Sequence, residues 1–299
     1  MGIIKRTIRF FERIWYLISQ LFSKGNNKIL GSFPLMYKSK IVFKGENNIL
    51  YCEPNVYLKS CSFHFEGSNS VIYLGSNVFP YCMEVYIYNN SAFNMGEDNY
   101  INFLQNKRLS VGVAEGKNIY VGDNCIISYG TYIKTSDAHL IYDCSTMNRV
   151  NHSKSVYIGD HVWLGQDCSL LKGTKIDSGS ILGSGSVISG KHVKHNEIWA
   201  GDPAKMIKNN IFWDGKYVNE WMPQITEANN NYADHVKRRS NSDMGNITAD
   251  RWIYEHDHES YKDFDMIDNM LCEADGSTER IEILKKINSD KEKNRFVSQ

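Results

Sequence analysis

The sequence predicts an all-β solenoid, a parallel β-helix whose coils repeat every six residues. Between residues 28 and 207 the chain is rich in Val, Ile, Tyr, Asn, Gly and Ser and has hardly any apolar pattern of helical period, which is typical of strands and turns. Within this stretch an aliphatic residue recurs at every sixth position without interruption, at Ile158, Leu164, Leu170, Ile176, Leu182 and Ile188. An earlier stretch with the same period consists of Val121, Ile127 and Ile133.

A period of six has a simple structural solution. It matches neither the alternation of a strand nor the period of an α-helix. If each hexad forms one short strand and a corner, three hexads close a triangular coil and the aliphatic side chain points inward. Residues eighteen apart then stack at the spacing of paired strands, about 4.8 Å. The predicted stacked pairs are Ile158 with Ile176, Leu164 with Leu182, and Leu170 with Ile188.

Two further positions of the hexads support this coil. The fourth residue after each aliphatic is small enough for a tight corner, namely Val162, Cys168, Thr174, Ser180 and Ser186. Glycine directly follows the aliphatic at Gly159, Gly165 and Gly183, where it tolerates the close backbone approach of a corner. Between residues 40 and 110 the pattern is looser, and segments such as 71–78 and 95–99 predict degenerate coils.

Different sequence flanks the solenoid on both sides. Residues 1–27 predict an N-terminal amphipathic helix, with Ile4, Phe11 and Trp15 on an apolar stripe and basic residues opposite. Such a helix either lies in a membrane interface or packs over the open end of the solenoid, and the sequence leaves both open. Residues 208–299 predict a mostly helical C-terminal extension, of which the polar residues 288–299 are expected to fray.

Composition and charge narrow the possible functions. Lys plus Arg and Asp plus Glu each number 34, so no net field would draw the protein to nucleic acid or to an acidic membrane. The seven cysteines are scattered singly, which indicates a reducing compartment. No apolar run approaches the roughly 20 residues of a membrane span. We therefore expect a cytoplasmic protein, at most held at the inner face of the membrane by residues 1–24.

The six-residue repeat is interrupted once, by residues 137–155. Counting sixes from Val121 brings the register to His139, but the ladder resumes only at Ile158. Because insertions in solenoids commonly carry function, this loop is the first candidate for an active site. The alternative is that His139 fills the inward slot after Ile133 as a core histidine.

Around this interruption the sequence resembles the left-handed β-helix acetyltransferases, and within them the O-acetyltransferases of bacterial capsule and other surface polysaccharides. The resemblance is dense from about residue 120 to 208. It is carried by Asp137-x-His139-x-Ile141-x-Asp143, Arg149-x-Asn151, Tyr157 to Gly165, Leu182 to Ile188, and Ala200 to Lys205. The left-handed sense of the helix comes only from this resemblance, because parallel crossovers are in general right-handed.

The resemblance implies a set of catalytic and acceptor-binding residues. It implies that His139 is the general base that takes the proton of a sugar hydroxyl, with Asp137 or Asp143 available to orient its ring. It also implies that Trp163 stacks against the reacting centre or donates its indole N–H to the oxyanion, although an outward aromatic without a catalytic role is the alternative. Further residues that would bind the acceptor or orient the site are Arg149, Asn151 and His152.

The resemblance further implies acetyl-CoA as co-substrate and a homotrimer with the coenzyme in the groove between subunits. The predicted coenzyme-binding residues are Gly165, Gln166, Gly183, Ser184, Ser189, Lys191, Pro203, Ala204, Lys205 and Lys208. No metal is expected. A metal-dependent carbonic anhydrase on the same solenoid is disfavoured because Gln166, not a histidine, follows His161 by five residues. The alternative on this fold is an N-acetyltransferase of a nucleotide-linked amino sugar.

Overall fold

The computed structural model describes residues 25–104, 107–232 and 261–297. In these residues, strands from Lys28 to Lys208 wind into a left-handed parallel β-helix of about seven turns, which confirms the predicted fold class. The predicted N-terminal amphipathic helix falls mainly on residues 1–24, which lie outside the described residues.

Each coil contributes up to three short strands. The first four coils contain β1 (Lys28–Gly31), β2 (Leu35–Tyr37), β3 (Lys40–Phe43), β4 (Ile49–Cys52), β5 (Tyr57–Lys59), β6 (Ser62–Phe65), β7 (Val71–Leu74), β8 (Met83–Ile87), β9 (Ala92–Met95), β10 (Tyr100–Ile101) and β11 (Leu109–Val113). The later coils contain β12 (Asn118–Val121), β13 (Ile126–Ile127), β14 (Tyr132–Lys134), β15 (Val156–Ile158), β16 (Trp163–Leu164), β17 (Ser169–Leu171), β18 (Lys175–Ile176), β19 (Ile181–Leu182), β20 (Val187–Ser189), β21 (His192–Val193), β22 (Ile198–Gly201) and β23 (Ala204–Lys208).

The strands stack into three sheets, which form the faces of a triangular prism. Face 1 has eight strands in the order β1-β4-β7-β9-β12-β15-β18-β21. Face 2 is formed by β10-β13-β16-β19-β22-β23 and by the pair β2-β5, and face 3 by β3-β6-β8-β11-β14-β17-β20. Neighbouring strands are parallel except for the final hairpin of β22 and β23. We name each corner by the two faces that it joins.

The interior of the prism is the predicted column of aliphatic side chains. Ile158 pairs with Ile176, Leu164 with Leu182, and Leu170 with Ile188, as the six-residue ladder predicted. All six side chains are at most 1% exposed, so the ladder forms a closed core. Burial of such side chains is worth roughly 1.5–3 kcal/mol each, which makes the column the main source of stability in these coils.

The corners use two different backbone devices. Three residues after each of the first five aliphatics, the chain turns through the left-handed region, at His161, Asp167, Gly173, Gly179 and Gly185. The glycines that directly follow the aliphatics serve close approach instead. A Cβ on Gly165 would lie 2.5 Å from the amide nitrogen of Ser184 in the next coil, so only glycine fits there.

In the described residues of the C-terminal extension the helices are α1 (Pro223–Ala228), α2 (Phe264–Glu273) and α3 (Gly276–Asn288). Helices α2 and α3 pack their apolar sides on the outer surface of face 1, where Ile267, Leu271 and Leu284 are buried against the sheet residues Tyr120 and Tyr157. One side of the solenoid is therefore covered by its own C-terminal segment.

The prediction that residues 288–299 fray was wrong for the part that the structure describes. Arg295 and Phe296 are fully buried. The guanidinium of Arg295 donates to Asp160 at 2.7 and 2.9 Å and to Asp123 at 2.8 Å. A polar sequence predicts fraying only while its charges lack partners, and here the partners lie on the solenoid, far away in the sequence.

Candidate active site

The interruption of the repeat is a loop on corner 3/1, between β14 and β15. Val121 pairs with Ile158, 37 positions later, whereas the next coils repeat every 18 residues, so 19 residues leave the coil. They correspond to residues 137–155. Ile158 fills the inward slot that the count of six assigned to His139, and His139 is exposed. The alternative of a core histidine was therefore wrong.

The stem of this loop is tied to the coils on either side of it. The Asp137 carboxylate accepts hydrogen bonds from Lys172 Nζ and from Asn151 Nδ2, the latter at 3.1 Å. On the opposite side, Arg149 Nη2 pairs with the Glu115 carboxylate at 2.9 Å. The hydrogen bonds from Lys172 and Arg149 lower the pKa values of Asp137 and Glu115, so both carboxylates stay ionised in the folded protein at neutral pH.

Asn151 holds the loop backbone together from within. Its Nδ2 donates to the carbonyl oxygen of His139 at 2.7 Å, and its Oδ1 accepts from the amide of Ile141 at 2.9 Å and from Arg149 Nε at 3.3 Å. The Asn151 residue is only 6% exposed. A buried amide with several partners fixes its surroundings, and here it fixes the main chain of the candidate base.

The far end of the loop is a turn organised by Asp143. Its Oδ1 accepts from the hydroxyl and the amide of Ser145 and from the amide and the hydroxyl of Thr146. These hydrogen bonds, those of Ser145 first, lower the pKa of Asp143 to about 2. Five large apolar residues of the loop are more than half exposed, namely Leu140, Ile141, Tyr142, Met147 and Val150. The loop therefore has a fixed stem and an apolar exterior.

The carboxylates that were expected to orient the imidazole of His139 contact other groups. The resemblance implied that Asp137 or Asp143 orients the ring, but Asp137 is bound to Lys172 and Asn151, and Asp143 is bound within its own turn. These contacts support a role for both residues in shaping the loop. His152, a predicted acceptor-contacting residue, is exposed near the end of the loop.

Trp163 lies on face 2, and its residue surface is 41% exposed. It stands in cross-strand register with other outward apolar side chains, which form the column Tyr100, Ile126, Trp163, Ile181 and Ile198. Trp163 therefore points outward on the coil that resumes after the loop. An exposed indole on a flat face is available to a ligand or to a second subunit.

His161 is a buried corner residue, and its ring is stacked on that of Trp213. The two rings stack at 3.9 Å between centroids and 3° between planes. The ring nitrogens of His161 contact Asn124 Oδ1 and the Trp213 carbonyl oxygen, each at 3.1 Å. Burial lowers the pKa of His161 to about 4, so the ring is neutral at physiological pH and is enclosed on all sides. His161 is a structural residue, and it leaves His139 and His152 as the exposed histidines of this region.

Several predicted coenzyme residues meet at corner 2/3. Gly165 and Gln166 lie there in one coil and Gly183 and Ser184 in the next, and the Gln166 amide donates to Ser184 Oγ at 3.2 Å. The turn that carries Pro203 continues the same corner, since the Gly201 amide contacts Ser186 Oγ at 3.2 Å. The corner thus offers backbone groups and small side chains in a row along the helix axis.

The remaining predicted coenzyme residues are more widely spread. Ser189 ends β20 on face 3, and Lys191 lies at corner 3/1. Lys205 and Lys208 are exposed on β23, whereas Ala204 is only 5% exposed and closes the end of the core. The structure therefore brings Gly165, Gln166, Gly183 and Ser184 together, separates Ser189 and Lys191 from them, and gives the Ala204 side chain a packing role.

A second excursion borders corner 2/3 and was missed in the sequence. Between β10 and β11 the chain leaves the coil, and Lys107 Nζ pairs with the Asp167 carboxylate at 2.8 Å, next to Gln166. The same ammonium lies 5.7 Å from the centre of the Tyr129 ring. The irregular pattern between residues 40 and 110 hid this excursion, and the Lys107-Arg108 pair inside a strand-rich region was the available signal.

The two predicted catalytic side chains lie on opposite sides of one chain. The loop with His139 leaves from corner 3/1, and Trp163 lies on face 2. In a triangular prism the corner formed by two faces is opposite the third face. The coils of one chain therefore place the two residues on different sides of the prism.

Other kinds of site find little support in the parts of the chain that the structure describes. No group of three or more His, Cys, Asp or Glu side chains there could hold a metal ion. Burial raises the pKa of Cys168, near corner 2/3, to about 11, so its thiol is not a nucleophile at neutral pH. No described helix is long and apolar enough to cross a membrane.

Comparison with known proteins places this solenoid among acetyltransferases. Residues 155–190 match the family model described as bacterial transferase hexapeptide (six repeats). The chain is 27% identical over 198 residues to the polysialic acid O-acetyltransferase of Neisseria meningitidis, a match that covers 66% of this chain and 90% of that protein. It is 32% identical over 101 residues to the polysialic acid O-acetyltransferase of Escherichia coli O1:K1 / APEC, which covers 34% of this chain and 33% of that protein.

Two solved structures agree with this placement. The polySia-specific acetyltransferase NeuO superposes with a TM-score of 0.58 at 25% identity, over 73% of this chain and 95% of that one. The polysialic acid O-acetyltransferase OatWY superposes with a TM-score of 0.56 at 27% identity, over 67% of this chain and 95% of that one.

The chain is therefore an acyltransferase, and its residues 155–190 carry the match to the hexapeptide repeat. Two of the relatives that it matches over at least 90% of their length are named polysialic acid O-acetyltransferases, and the acyltransferase class predicted from the sequence is confirmed.

Proposed function

We propose that this protein transfers an acetyl group from acetyl-CoA to a hydroxyl group of a bacterial capsular or other surface polysaccharide. The observation that carries the proposal is the exposed His139 on a loop whose backbone the buried Asn151 fixes at 2.7 Å. The polysaccharide acceptor is supported by the polysialic acid O-acetyltransferases, since the match covers 90% of one relative and 95% of each solved structure.

The proposed chemistry needs one base, an oxyanion donor and two positioned substrates. His139 takes the proton of the sugar hydroxyl while the oxygen attacks the thioester carbonyl carbon. The carbon–sulfur bond then breaks, and the proton passes from His139 to the leaving thiolate, which yields the acetyl ester and free coenzyme A. The indole N–H of Trp163 is the proposed donor to the oxyanion, because it is exposed on a rigid strand.

The proposed coenzyme groove runs along corner 2/3. Gly165 and Gly183 allow successive coils to stack closely at this corner, and the exposed residues Gln166 and Ser184 are the proposed contacts of the pantetheine arm. Lys205 and Lys208 are the proposed partners of the phosphate groups, where an ammonium acts as a point charge. The packing of Ala204 and the position of Lys191 on another corner make these two residues the weakest members of the predicted set.

The active enzyme is proposed to be a C3 trimer. In one protomer the apolar exterior of loop 137–155 is exposed and the outward column through Trp163 is partly exposed, and contact between them across a three-fold assembly would cover both. This arrangement would also bring His139 of one protomer to the Trp163 face of the next. The loop thus supplies the base to a site that its own chain cannot complete.

The proposed location follows from the proposed substrate. Acetyl-CoA is a cytoplasmic metabolite and the cysteine pattern indicates a reducing compartment, so the enzyme is expected to act in the cytoplasm, with residues 1–24 as a candidate contact to the inner membrane face.

Acetyl transfer from labelled acetyl-CoA to purified polysaccharides tests this function. We expect label to enter polysialic acid or another bacterial surface polymer and to be released by mild alkali, because esters hydrolyse where amides survive. Label that resists alkali would instead support the N-acetyltransferase alternative. Absence of transfer to every polysaccharide, with hydrolysis of acetyl-CoA intact, would contradict the polysaccharide acceptor.

A further inference from the structure

Strand β15 links the two parts of the proposed site within each chain. The inserted loop ends at Ser155, β15 follows directly, and the corner after it leads through Asp160 and His161 to Trp163. Any shift of this three-residue strand would therefore move the stem of the His139 loop and the Trp163 corner together. β15 lies on face 1, the face that the C-terminal segment 261–297 covers.

At its start, β15 is bound to the C-terminal segment through Asp268 of α2. One oxygen of this carboxylate, Oδ1, accepts from Ser155 Oγ at 2.6 Å, from Tyr157 Oη at 2.8 Å and from Asn118 Nδ2 at 3.1 Å. Ser155 and Tyr157 are 6% and 1% exposed, respectively. Hydrogen bonds to a charged acceptor in such a buried place are strong and directional.

At its end, β15 is bound to the same segment through Arg295. The guanidinium spans Asp160 with two hydrogen bonds, at 2.7 and 2.9 Å, and reaches Asp123 in the preceding coil at 2.8 Å. The amide of Arg295 also donates to Asp160 Oδ2, at 2.9 Å. Asp160 precedes His161, whose ring stacks on Trp213 beside Trp163. A two-pronged contact of this kind fixes angle as well as distance.

We propose that Asp268 and Arg295 are positioning residues for acetyl transfer. The C-terminal segment forms hydrogen bonds at both ends of β15. These contacts fix the stem of the His139 loop and the Trp163 corner relative to the solenoid. The inference rests on the proposed function of His139 and Trp163. It predicts an effect on turnover with none on coenzyme binding, because corner 2/3, where the coenzyme is placed, is opposite face 1.

The chain offers a matched control on the same helix. Asp265 of α2 also contacts the solenoid, through Lys175 at 2.5 Å, but it is not bonded to Ser155, Tyr157 or Asp160. We expect Asp268→Ala to lower kcat at least tenfold, measured with polysialic acid as acceptor and well below the unfolding temperature, with KM for acetyl-CoA changed less than twofold. Asp265→Ala should leave both constants within twofold of wild type. Equal kcat in the two variants would overturn the proposal.

Amide hydrogen exchange tests the same contact without any activity. In Asp268→Ala, exchange in residues 137–155 should accelerate at least tenfold, whereas exchange in residues 163–190 should match that of Asp265→Ala. Unchanged loop exchange would refute the positioning role even if acetyl transfer were lost for another reason. Conversely, loop exchange could accelerate in Asp268→Ala although the wild-type enzyme acetylates no polysaccharide. That result would support the positioning contact of Asp268 and contradict the proposed function.

Arg295 is tested by a variant that keeps its charge. Arg295→Lys leaves a cation for the two buried carboxylates but cannot form the forked contact with Asp160. We expect a folded protein with faster exchange in residues 159–163 and a lower kcat at unchanged KM for acetyl-CoA. Wild-type kcat in Arg295→Lys would limit the positioning role to Asp268 and overturn the part of the proposal that concerns Arg295.

Discussion

The two halves of the solenoid reach the same architecture with different coils. In the wide half, residues 28–113, the strand partners Ile49, Val71 and Ala92 are 22 and 21 positions apart. In the narrow half, residues 156–189, Ile158 and Ile176 are 18 apart. The strands of the wide half are mostly four or five residues long on faces 1 and 3, against two or three in the narrow half. Longer strands leave room for larger core side chains.

This difference explains where the six-residue period is visible. The wide half fills its interior with aromatic residues such as Phe63, Phe65 and Phe93, which are fully buried. Its coils vary by a residue, so no fixed period survives in the sequence although the register is continuous. The narrow half uses Ile and Leu at strict spacing, and its short, glycine-containing corners are the ones at which we place the coenzyme. Both halves therefore contribute to stability, whereas the candidate catalytic residues lie in the narrow half and in the loop that precedes it.

The largest difference in activity is expected between variants that lack His139 and variants that lack a histidine of the wide half. His139→Ala should lower kcat by about 10² to 10⁴, the range for loss of a general base. His64 of the wide half, which is stacked on Tyr86 at 4.6 Å, is the matched control, and His64→Ala should leave kcat within twofold. Steady-state kinetics with polysialic acid as acceptor measure both. Full activity of His139→Ala would remove the base from the mechanism.

Core truncations should destabilise both halves but affect activity in only one. We expect Phe93→Ala and Leu164→Ala each to lower the free energy of unfolding by about 2–5 kcal/mol, because both side chains are fully buried. Since Leu164 lies between Trp163 and Gly165, only Leu164→Ala should also lower kcat in the folded protein. Denaturant unfolding and kinetics at low temperature separate the two effects. Loss of kcat in Phe93→Ala would show that the wide half contributes to chemistry.

The buried histidine of the narrow half should make stability depend on pH. Because burial lowers the pKa of His161 to about 4, the unfolded chain binds this proton more readily than the folded one between pH 6.5 and 4. Stability is therefore lost as pH falls through that window, by on the order of 3 kcal/mol. His161→Gln should lack this component of the slope, and His64→Gln should largely retain it. Unfolding free energies measured at several pH values give the comparison.

The smallest expected contrast concerns the corner glycines. Gly165→Ala and Gly67→Ala both create a close contact, since the added Cβ would lie 2.5 Å and 2.3 Å from the nearest amide nitrogen. Each should cost about 1–3 kcal/mol of stability. Only Gly165→Ala should raise KM for acetyl-CoA, by several-fold, because Gly67 lies in the wide half. Equal KM values would remove corner 2/3 of the narrow half from the coenzyme site.

Most of the fold could be predicted from the sequence, because a six-residue ladder admits few structures. The interruption at His139 was equally visible, since a break in a strict period is a local signal. The contacts that stabilise the site were not, because Arg295 meets Asp123 and Asp160 across 172 and 135 residues. A pairing over such distances leaves no local pattern.

The relative position of His139 and Trp163 could also not be predicted from the sequence. Trp163 follows the loop within one coil, which suggests proximity to His139, but the chain turns a corner between them. Only the assignment of strands to faces shows that the two side chains lie on opposite sides. The sequence predicted the residues of the candidate site, and the structure changed how they are combined.

Complementation between two inactive variants tests the shared site most directly. His139→Ala and Trp163→Ala subunits would be co-expressed in equal amounts and purified together as mixed trimers. If His139 of one protomer acts at Trp163 of the next, about a quarter of the sites contain both intact residues, and about a quarter of the wild-type activity should return. Activity no higher than that of the separate variants would contradict a site built from two protomers.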